Sequence, residues 1–361
     1  MTSDNFTNIE SLTTSAISLL KELIATPSFS REEDQTAGIL CRFLGERGVH
    51  HSRSGNNVWA LNKYFDPGKP TILLNSHHDT VKPNPKYTRD PFLPEVEDGK
   101  LFGLGSNDAG GCLVSLLAVF LFFYDRKELS HNIIFAASAE EEVSGVNGIE
   151  AVIPQLPPIS FAIVGEPTLM NLAVAEKGLL VLDAVAHGKA GHAAREEGDN
   201  AIYKALKDIT WFSTFRFPKE SPTLGPVKMS VTVIETENKA HNVVPALCKF
   251  TVDIRVTDAY SHEEVLEIVK NNVQSEVTPR SMRMRSTRIE LDHPLVKAGM
   301  ALGKTVYGSP TCSDKALMPF PALKCGPGDS ARSHTADEFV FVTEIETGIK
   351  EYIAMLEETV K

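Results

Sequence analysis

The sequence has few cysteines, and their arrangement does not suggest a disulfide framework or a thiolate metal site. The 361-residue chain contains five of them, Cys41, Cys112, Cys248, Cys312 and Cys325, which are scattered and form no C-x-x-C pair. Such an odd, dispersed set is typical of reduced thiols. We therefore expect any bound metal ion to have oxygen and nitrogen ligands.

The chain also lacks an excess of positive charge and a long hydrophobic run. Its formal net charge of −11 argues against general binding to nucleic acids or anionic membranes, which require basic surface. The longest apolar stretch, residues 112–124, is shorter than the roughly 20 residues needed to cross a bilayer, and we predict a buried helix. Residues 1–6 lack the basic and hydrophobic regions of a secretion signal, so we expect a cytoplasmic protein.

Short, continuous apolar runs alternate with helical patterns in the first part of the chain. We predict helices over residues 13–26, 31–47 and 109–124 and strands over 57–64, 71–76, 132–138 and 161–165. Continuous apolar strands are typical of a parallel sheet covered by helices. The pattern returns after residue 292, with helices over 295–306 and 343–360 and a short strand near 322. We predict a discontinuous α/β catalytic domain, residues 1–178 and 292–361, with a mixed, mainly parallel sheet flanked by helices.

Residues 179–291 show a different pattern. Residues 180–187, 227–234 and 248–256 alternate between apolar and polar, as half-exposed strands do, and residues 200–212 and 262–273 have helical spacing. We predict an inserted α+β domain with a ferredoxin-like arrangement.

Three of the apolar runs end in side chains that bind divalent metal ions. The first is followed by His77 and Asp79, the second by the acidic residues 140–142, and the third by Glu166. Because parallel strands present functional groups at their carboxyl ends, we expect these side chains to converge. A solvated charge run is the alternative for residues 140–142. Asp79 is placed to hydrogen-bond the second ring nitrogen of His77 and so fix its tautomer.

Two further candidates, Asp108 and His334, lie in glycine-containing loops. The segment 103–111 resembles a phosphate-binding loop, but Asp108 stands where the third glycine of that motif belongs, and its carboxylate would repel phosphate. His334 has a surface histidine as its alternative interpretation. Together, His77, Asp108, Glu142, Glu166 and His334 provide two imidazoles and three carboxylates. This set is sufficient for two ions that share one carboxylate.

These motifs resemble, almost end to end, the two-zinc amidohydrolase and metallopeptidase family that includes acetylornithine deacetylase, succinyl-diaminopimelate desuccinylase, aminoacylase and glutamate carboxypeptidase. The segments that carry the resemblance are 76–81 (SHHDTV), 103–111 (GLGSNDAGG), 139–145 (AEEEVSG), 165–168 (GEPT), 188–194 (GKAGHAA), 241–245 (HNVVP), 253–255 (DIR) and the segment around His334.

The resemblance implies a ligand set for two zinc ions, for which cobalt or manganese are possible substitutes. His77 and Glu166 would complete one ion, Glu142 and His334 the other, and Asp108 would bridge them.

The resemblance also implies catalytic roles for two acidic residues. Asp79 would orient His77, and Glu141 would be the general base that takes a proton from the attacking water and passes it to the leaving amine. Two cations about 3.5 to 4 Å apart can acidify a water and polarise a carbonyl, which is the chemistry that amide hydrolysis requires.

The inserted domain is implied to be a lid through which the protein forms a homodimer. His192 would reach the active site of the partner subunit and stabilise the oxyanion. Asn242, Arg255 and Gly326 would bind substrate, the guanidinium being suited to a carboxylate. The alternatives are an ion pair on a strand for Arg255 and an exposed turn residue for His192.

We predict a metal-dependent hydrolase that cleaves the amide of an N-acyl amino acid, and we favour N-acetyl- or N-succinyl-ornithine in arginine biosynthesis. Glutamate rather than aspartate at position 166 favours the deacylases. The alternatives are succinyl-diaminopimelate desuccinylase, aminoacylase or dipeptidase of the same family. A non-catalytic metal-binding or assembly protein is a further alternative, against which the intact Glu141 argues.

Overall fold

Residues 8–195 and 197–360 are described by a computed structural model, and the chain divides into two units. The first unit comprises Met1–Val174, Ile289–Tyr307 and Ser313–Lys361, and the second comprises Ala175–Arg288 and Gly308–Cys312. The return of Gly308–Cys312 to the second unit has no signal in the sequence pattern. The domain boundaries predicted from sequence remain a prediction.

The secondary structure of the described residues follows the strand and helix alternation of the sequence. The helices are α1 (Ile9–Ile24), α2 (Asp34–Glu46), α3 (Gly111–Tyr124), α4 (Ile149–Val152), α5 (Ala201–Thr214), α6 (His262–Asn272), α7 (Pro294–Ala301) and α8 (Val342–Val360). The strands are β1 (His51–Ser54), β2 (Asn57–Leu61), β3 (Thr71–His77), β4 (Glu95–Glu97), β5 (Lys100–Phe102), β6 (Asn132–Ser138), β7 (Phe161–Val164), β8 (Leu172–Glu176), β9 (Gly178–His187), β10 (Gly191–His192), β11 (Lys228–Glu235), β12 (Val243–Val244), β13 (Leu247–Val256), β14 (Glu276–Pro279), β15 (Thr287–Arg288), β16 (Val306–Ser309), β17 (Ala322–Lys324) and β18 (Phe339–Phe341).

The continuous apolar runs form the centre of a mixed sheet in the first unit. Seven of its nine strands have the order β1-β2-β6-β3-β7-β17-β8, in which β6, β3, β7 and β17 are parallel and the strands to either side are antiparallel. The register pairs His77 with Ser138 and Asn75 with Val164, so β3, β6 and β7 end at the same edge. This confirms the predicted sheet and brings together the segments that carry the candidate ligands.

Helix α3 is the central helix of this unit. Every residue from Gly111 to Tyr124 is buried, and the helix packs between the sheet and helices α1 and α8. Among the described residues, Ser106–Tyr124 is the one segment long and apolar enough to cross a membrane, but 94% of that stretch is buried inside the protein. A helix that is apolar on all sides needs such complete burial. The turn that contains Asp108 lies directly before the first residue of α3.

The sequence interpretation was wrong in one helix and missed several short strands. The helix predicted over residues 295–306 ends at Ala301, because Gly303 has a positive φ of 80°, and the chain then enters β16. The strands β4, β5 and β18 form a separate three-stranded sheet. Each has only three residues, too few to show a periodicity.

The second unit has a four-stranded antiparallel sheet of order β11-β13-β9-β14. Strands β9 and β13 alternate between buried and partly exposed residues, and helices α5 and α6 contribute apolar residues to the core on the buried face. The chain order β9-α5-β11-β13-α6-β14 is that of a ferredoxin-like domain, as predicted.

Candidate metal centre

His77 is the last residue of β3 and is almost completely buried, with 1% of its surface exposed. Its Nδ1 donates to the backbone carbonyl of Asp79 at 3.0 Å, whereas the Asp79 carboxylate lies 3.4 Å away. The predicted carboxylate contact is therefore secondary, because the chain turns immediately after the strand and brings the carbonyl closer. This bond leaves Nε2 of His77 directed at Asp108 and Glu166.

The acidic segment after β6 is held by two buried carboxylates. Asp79 Oδ1 accepts the backbone N–H of Glu141 at 3.0 Å, and Oδ2 accepts that of Glu142 at 3.1 Å. Glu33 Oε1 accepts the backbone N–H of Glu140 at 3.1 Å. Charge-assisted bonds of this kind are stronger than neutral ones. They stabilise the tight turn, in which Glu140 has a positive φ of 57°.

Asp108 lies between the two histidines. Its Oδ1 is 3.3 Å from Nε2 of His77, and its Oδ2 is 3.6 Å from Nε2 of His334. Glu166 Oε1 is 3.9 Å from the same nitrogen of His77, and Glu142 Oε2 is 3.0 Å from that of His334. The structure therefore brings together all five predicted ligands.

The donor set fits divalent cations. Ligand atoms of His77, Asp108 and Glu142 lie within 4.8 Å of one another, and so do those of His77, Glu141 and Glu166. Adjacent buried carboxylates repel one another, and imidazole nitrogen and carboxylate oxygen are the ligands that zinc and similar ions prefer. Cations at this position would offset that repulsion.

The charges of the cluster change the pKa values of its members. Burial acts to lower the pKa of His77, but hydrogen bonds with Asp108 and Asp79 outweigh burial and raise it well above its usual value. The hydrogen bond with Glu142 raises the pKa of His334 to about 9. Burial raises the pKa of Glu141 well above its ordinary range. In the absence of a metal ion, the negative charge of the buried cluster thus favours the protonated forms of His77, His334 and Glu141. A bound cation would take the place of these protons.

Three buried acidic residues next to the cluster were missed from sequence. These are Glu33, Glu338 and Asp314. The Glu338 carboxylate accepts the backbone N–H groups of Asn107 and Asp108, and Asp314 accepts a hydrogen bond from Ser138. Burial raises the pKa of Asp314 to about 6. The sequence signal for Glu338 is its position four residues after His334, within the same motif.

The residues predicted to act from the lid lie in the second unit. His192 is exposed on β10, and its Nδ1 accepts the N–H of Ala194. Asn242 is also exposed, in the turn that leads to β12. Arg255 forms a two-pronged ion pair with Asp253 on the same strand, at 2.8 and 3.0 Å, which was the alternative interpretation. The catalytic and substrate-binding roles of these residues remain predictions.

Gly326 lies in the first unit, close behind the cluster. It is buried, and a Cβ atom there would lie 2.6 Å from both the backbone oxygen of Glu166 and Sγ of Cys112. This close packing explains why a glycine is needed. A role in substrate binding remains a prediction.

The amino-acid sequence matches one known family over most of its length. The model of peptidase family M20/M25/M40 matches residues 73–358. A succinyl-diaminopimelate desuccinylase of Orientia tsutsugamushi (strain Ikeda) is 27% identical over an alignment of 279 positions, which covers 73% of this chain and 72% of that protein. An acetylornithine deacetylase of Proteus mirabilis (strain HI4320) is 28% identical over an alignment of 366 positions, gaps included, which covers 91% of this chain and 93% of the relative.

Solved structures share the fold. The aminopeptidase PepT of Bacillus cereus ATCC 10987 superimposes with a TM-score of 0.76 at 18% identity, covering 98% of this chain and 99% of that one. The YXEP protein of Bacillus subtilis, described as a dinuclear metal binding peptidase of the M20 family, has a TM-score of 0.73 at 16% identity, covering 97% and 98%. With the converging carboxylates and imidazoles, the family match leads to one conclusion. The chain belongs to peptidase family M20/M25/M40 and is a metal-dependent hydrolase.

Proposed function

We propose that this protein is a two-metal deacylase that hydrolyses the amide bond of an N-acyl diamino acid. The observation that carries the proposal is the position of Asp108, whose two carboxylate oxygens face the imidazoles of His77 and His334. A carboxylate placed in this way is suited to a bridging role between two ions.

The residues divide into two ligand sets. His77 and Glu166 would hold one ion, Glu142 and His334 the other, and Asp108 would contact both. Zinc is the proposed metal, with cobalt or manganese as substitutes. When bound, two such ions supply an acidified water and a polarised amide carbonyl.

Glu141 is proposed as the general base. It is held by the Asp79 carboxylate through its backbone N–H, and its own carboxylate lies within 4.8 Å of ligand atoms of His77 and Glu166. Its side chain would take a proton as water adds to the amide carbon and would deliver that proton to the amine nitrogen as the C–N bond breaks. The products are a free amine and a carboxylic acid.

The named relatives support a substrate of the N-acyl diamino acid class. One is named for removing succinate from diaminopimelate and the other for removing acetate from ornithine. We retain N-acetyl- or N-succinyl-ornithine, in arginine biosynthesis, as proposed substrates and place N-succinyl-diaminopimelate beside them. A deacylase of such metabolites would act in the cytoplasm, which is proposed as its location.

A substrate panel tests the proposal. Purified protein loaded with zinc would be assayed on N-acetylornithine, N-succinylornithine, N-succinyl-diaminopimelate and unmodified dipeptides, with metal content measured on the same sample. The proposal requires release of amine from at least one acylated diamino acid, at a kcat/KM well above that for any dipeptide. Activity confined to dipeptides would reject the deacylase assignment in favour of a peptidase.

We further propose that the second unit forms a homodimer. Its edge strand β11 exposes Val233 (49%) and Ile234 (53%), and helix α5 exposes Tyr203 (67%) and Leu206 (47%). Large apolar residues and an unpaired strand edge are features of a surface that another copy covers. The proposed action of His192 on the active site of a partner subunit depends on this dimer.

A further inference from the structure

Glu338 is a buried carboxylate in contact with the turn that carries Asp108. It is 2% exposed, and its Oε1 accepts the backbone N–H of Asn107 and that of Asp108, each at 2.9 Å. One side chain therefore holds consecutive peptide groups of this turn.

The backbone around Glu338 is itself fixed. Its carbonyl accepts the N–H of Gly103 at 3.0 Å, and its N–H donates to the hydroxyl of Tyr87 at 3.3 Å. The next residue, Phe339, begins β18 and pairs with Phe102 of β5. Because the backbone of Glu338 is held in this way, its carboxylate is a rigid acceptor. The hydrogen bonds that the carboxylate accepts therefore define the position of the turn.

The position of the turn determines where the Asp108 side chain lies. Asp108 faces His77 through one oxygen and His334 through the other, and a rotation of its peptide group would move both oxygens together. Groups that hydrogen-bond a metal ligand and so orient it contribute to metal affinity. Their loss typically lowers that affinity about 10- to 100-fold.

We propose that Glu338 is a positioning residue, which holds the Asn107–Asp108 peptide so that Asp108 presents one oxygen to each ion. The segment from His334 to Glu338 then has two functions: its first residue is a ligand, and its last orients the ligand shared by both ions. This inference rests on the proposed two-metal function.

Cobalt titration of Glu338→Gln tests the inference. Glutamine preserves the length of the side chain and one oxygen, but that oxygen belongs to an amide, which accepts hydrogen bonds more weakly than a carboxylate, and an N–H₂ group replaces the second oxygen. Glu344→Gln is the matched control. The Glu344 carboxylate also accepts a backbone N–H, that of Phe341 at 3.0 Å, and it pairs with Arg332, so its loss affects the same region without touching the Asp108 turn.

Metal-depleted proteins would be titrated with Co²⁺, followed by its visible absorption and by calorimetry, and unfolding temperatures would be measured in parallel. We expect wild-type protein and Glu344→Gln to bind two equivalents with similar affinity. Glu338→Gln should bind at least one equivalent about 10- to 100-fold more weakly, with an altered cobalt spectrum. This difference should persist when the two variants have equal unfolding temperatures.

Three results would overturn the inference. If the wild type binds two cobalt ions and Glu338→Gln binds them with unchanged affinity and spectrum, Glu338 does not position Asp108 and only the inference fails. If affinity falls equally in Glu338→Gln and Glu344→Gln, the effect is a general loss of stability. Wild-type protein that binds no cobalt would overturn the two-metal function itself and this inference with it.

Discussion

The Asp79 carboxylate accepts a hydrogen bond from the backbone N–H of Glu141 at 3.0 Å, and it accepts the next N–H of the turn as well. Asp79 thus holds the turn that carries the proposed base, in addition to its contact with His77. Asparagine at position 79 would place an amide N–H₂ group against one of these backbone donors and disturb the turn.

We therefore expect Asp79→Asn to lower kcat by about 10- to 100-fold while most of the bound metal remains. Steady-state kinetics and metal analysis on the same preparation measure both quantities. Asp66→Asn is the control, since Asp66 is exposed and lies before the opposite end of β3. A kcat equal to that of the control variant would contradict the role of Asp79.

Glu141→Gln should separate metal binding from turnover. The amide cannot accept a proton from water, so kcat should drop by ~10² to 10⁴ while metal content stays at the wild-type level. Loss of metal together with activity would indicate that Glu141 is a ligand, which its position near His77 and Glu166 also permits. Unchanged turnover would refute both roles.

The two ions should differ in how readily they leave. The His334 side chain is 54% exposed, whereas that of His77 is 1% exposed, so a chelator should remove the ion on the His334 side first. His334→Ala should retain about one ion per chain, on the remaining ligands. Timed chelation with elemental analysis provides the measurement, and His131→Ala, before the opposite end of β6, is the control. Simultaneous release of both ions would argue against separate ligand sets.

Asp314 should make the stability of the metal-depleted protein depend on pH. Burial raises its pKa from 3.8 to about 6, so the folded chain holds this proton more tightly than the unfolded chain does. As pH rises through that interval, the carboxyl group ionises at a cost to the folded state, and stability falls. Asp314→Asn should remove this cost. As pH rises from 3.8 to about 6, the unfolding temperature of the variant should therefore increase relative to that of the wild type. The exposed Asp292→Asn should show no such change.

A charge on the edge strand of the second unit should disrupt the proposed dimer. Ile234→Lys introduces a cation on exposed apolar surface of β11, where burial against another copy would leave it unpaired. Sedimentation should show dimers for wild type and monomers for the variant. Leu302→Lys, at a similarly exposed leucine of the first unit, should stay dimeric. Monomeric wild-type protein would contradict the dimer.

The convergence of the ligands could be predicted because their signals are local. An apolar run that ends in His77 or Glu166 indicates a buried strand with a ligand at its carboxyl end, and parallel pairing of such strands places those ends together. The family motifs added Asp108 and His334, whose loops have no periodicity of their own.

The orienting contacts were decided by the tertiary structure. The bond between Glu338 and Asp108 joins residues 230 positions apart, and the one between Asp79 and Glu141 joins residues 62 apart. Neither contact has a pattern in the chain, because a carboxylate that accepts a distant backbone N–H has the same sequence signature as one in solvent.

The sequence by itself determined the central strands, most of the helices and the kinds of atom available to a metal ion, since these depend on hydrophobic pattern and side-chain chemistry. Only the tertiary structure decided that the Asp79 carbonyl is the nearer partner of His77 and which buried acids hold the ligand turns. Hydrogen bonds require groups to meet within about 3 Å, and that proximity arises only when distant segments pack together.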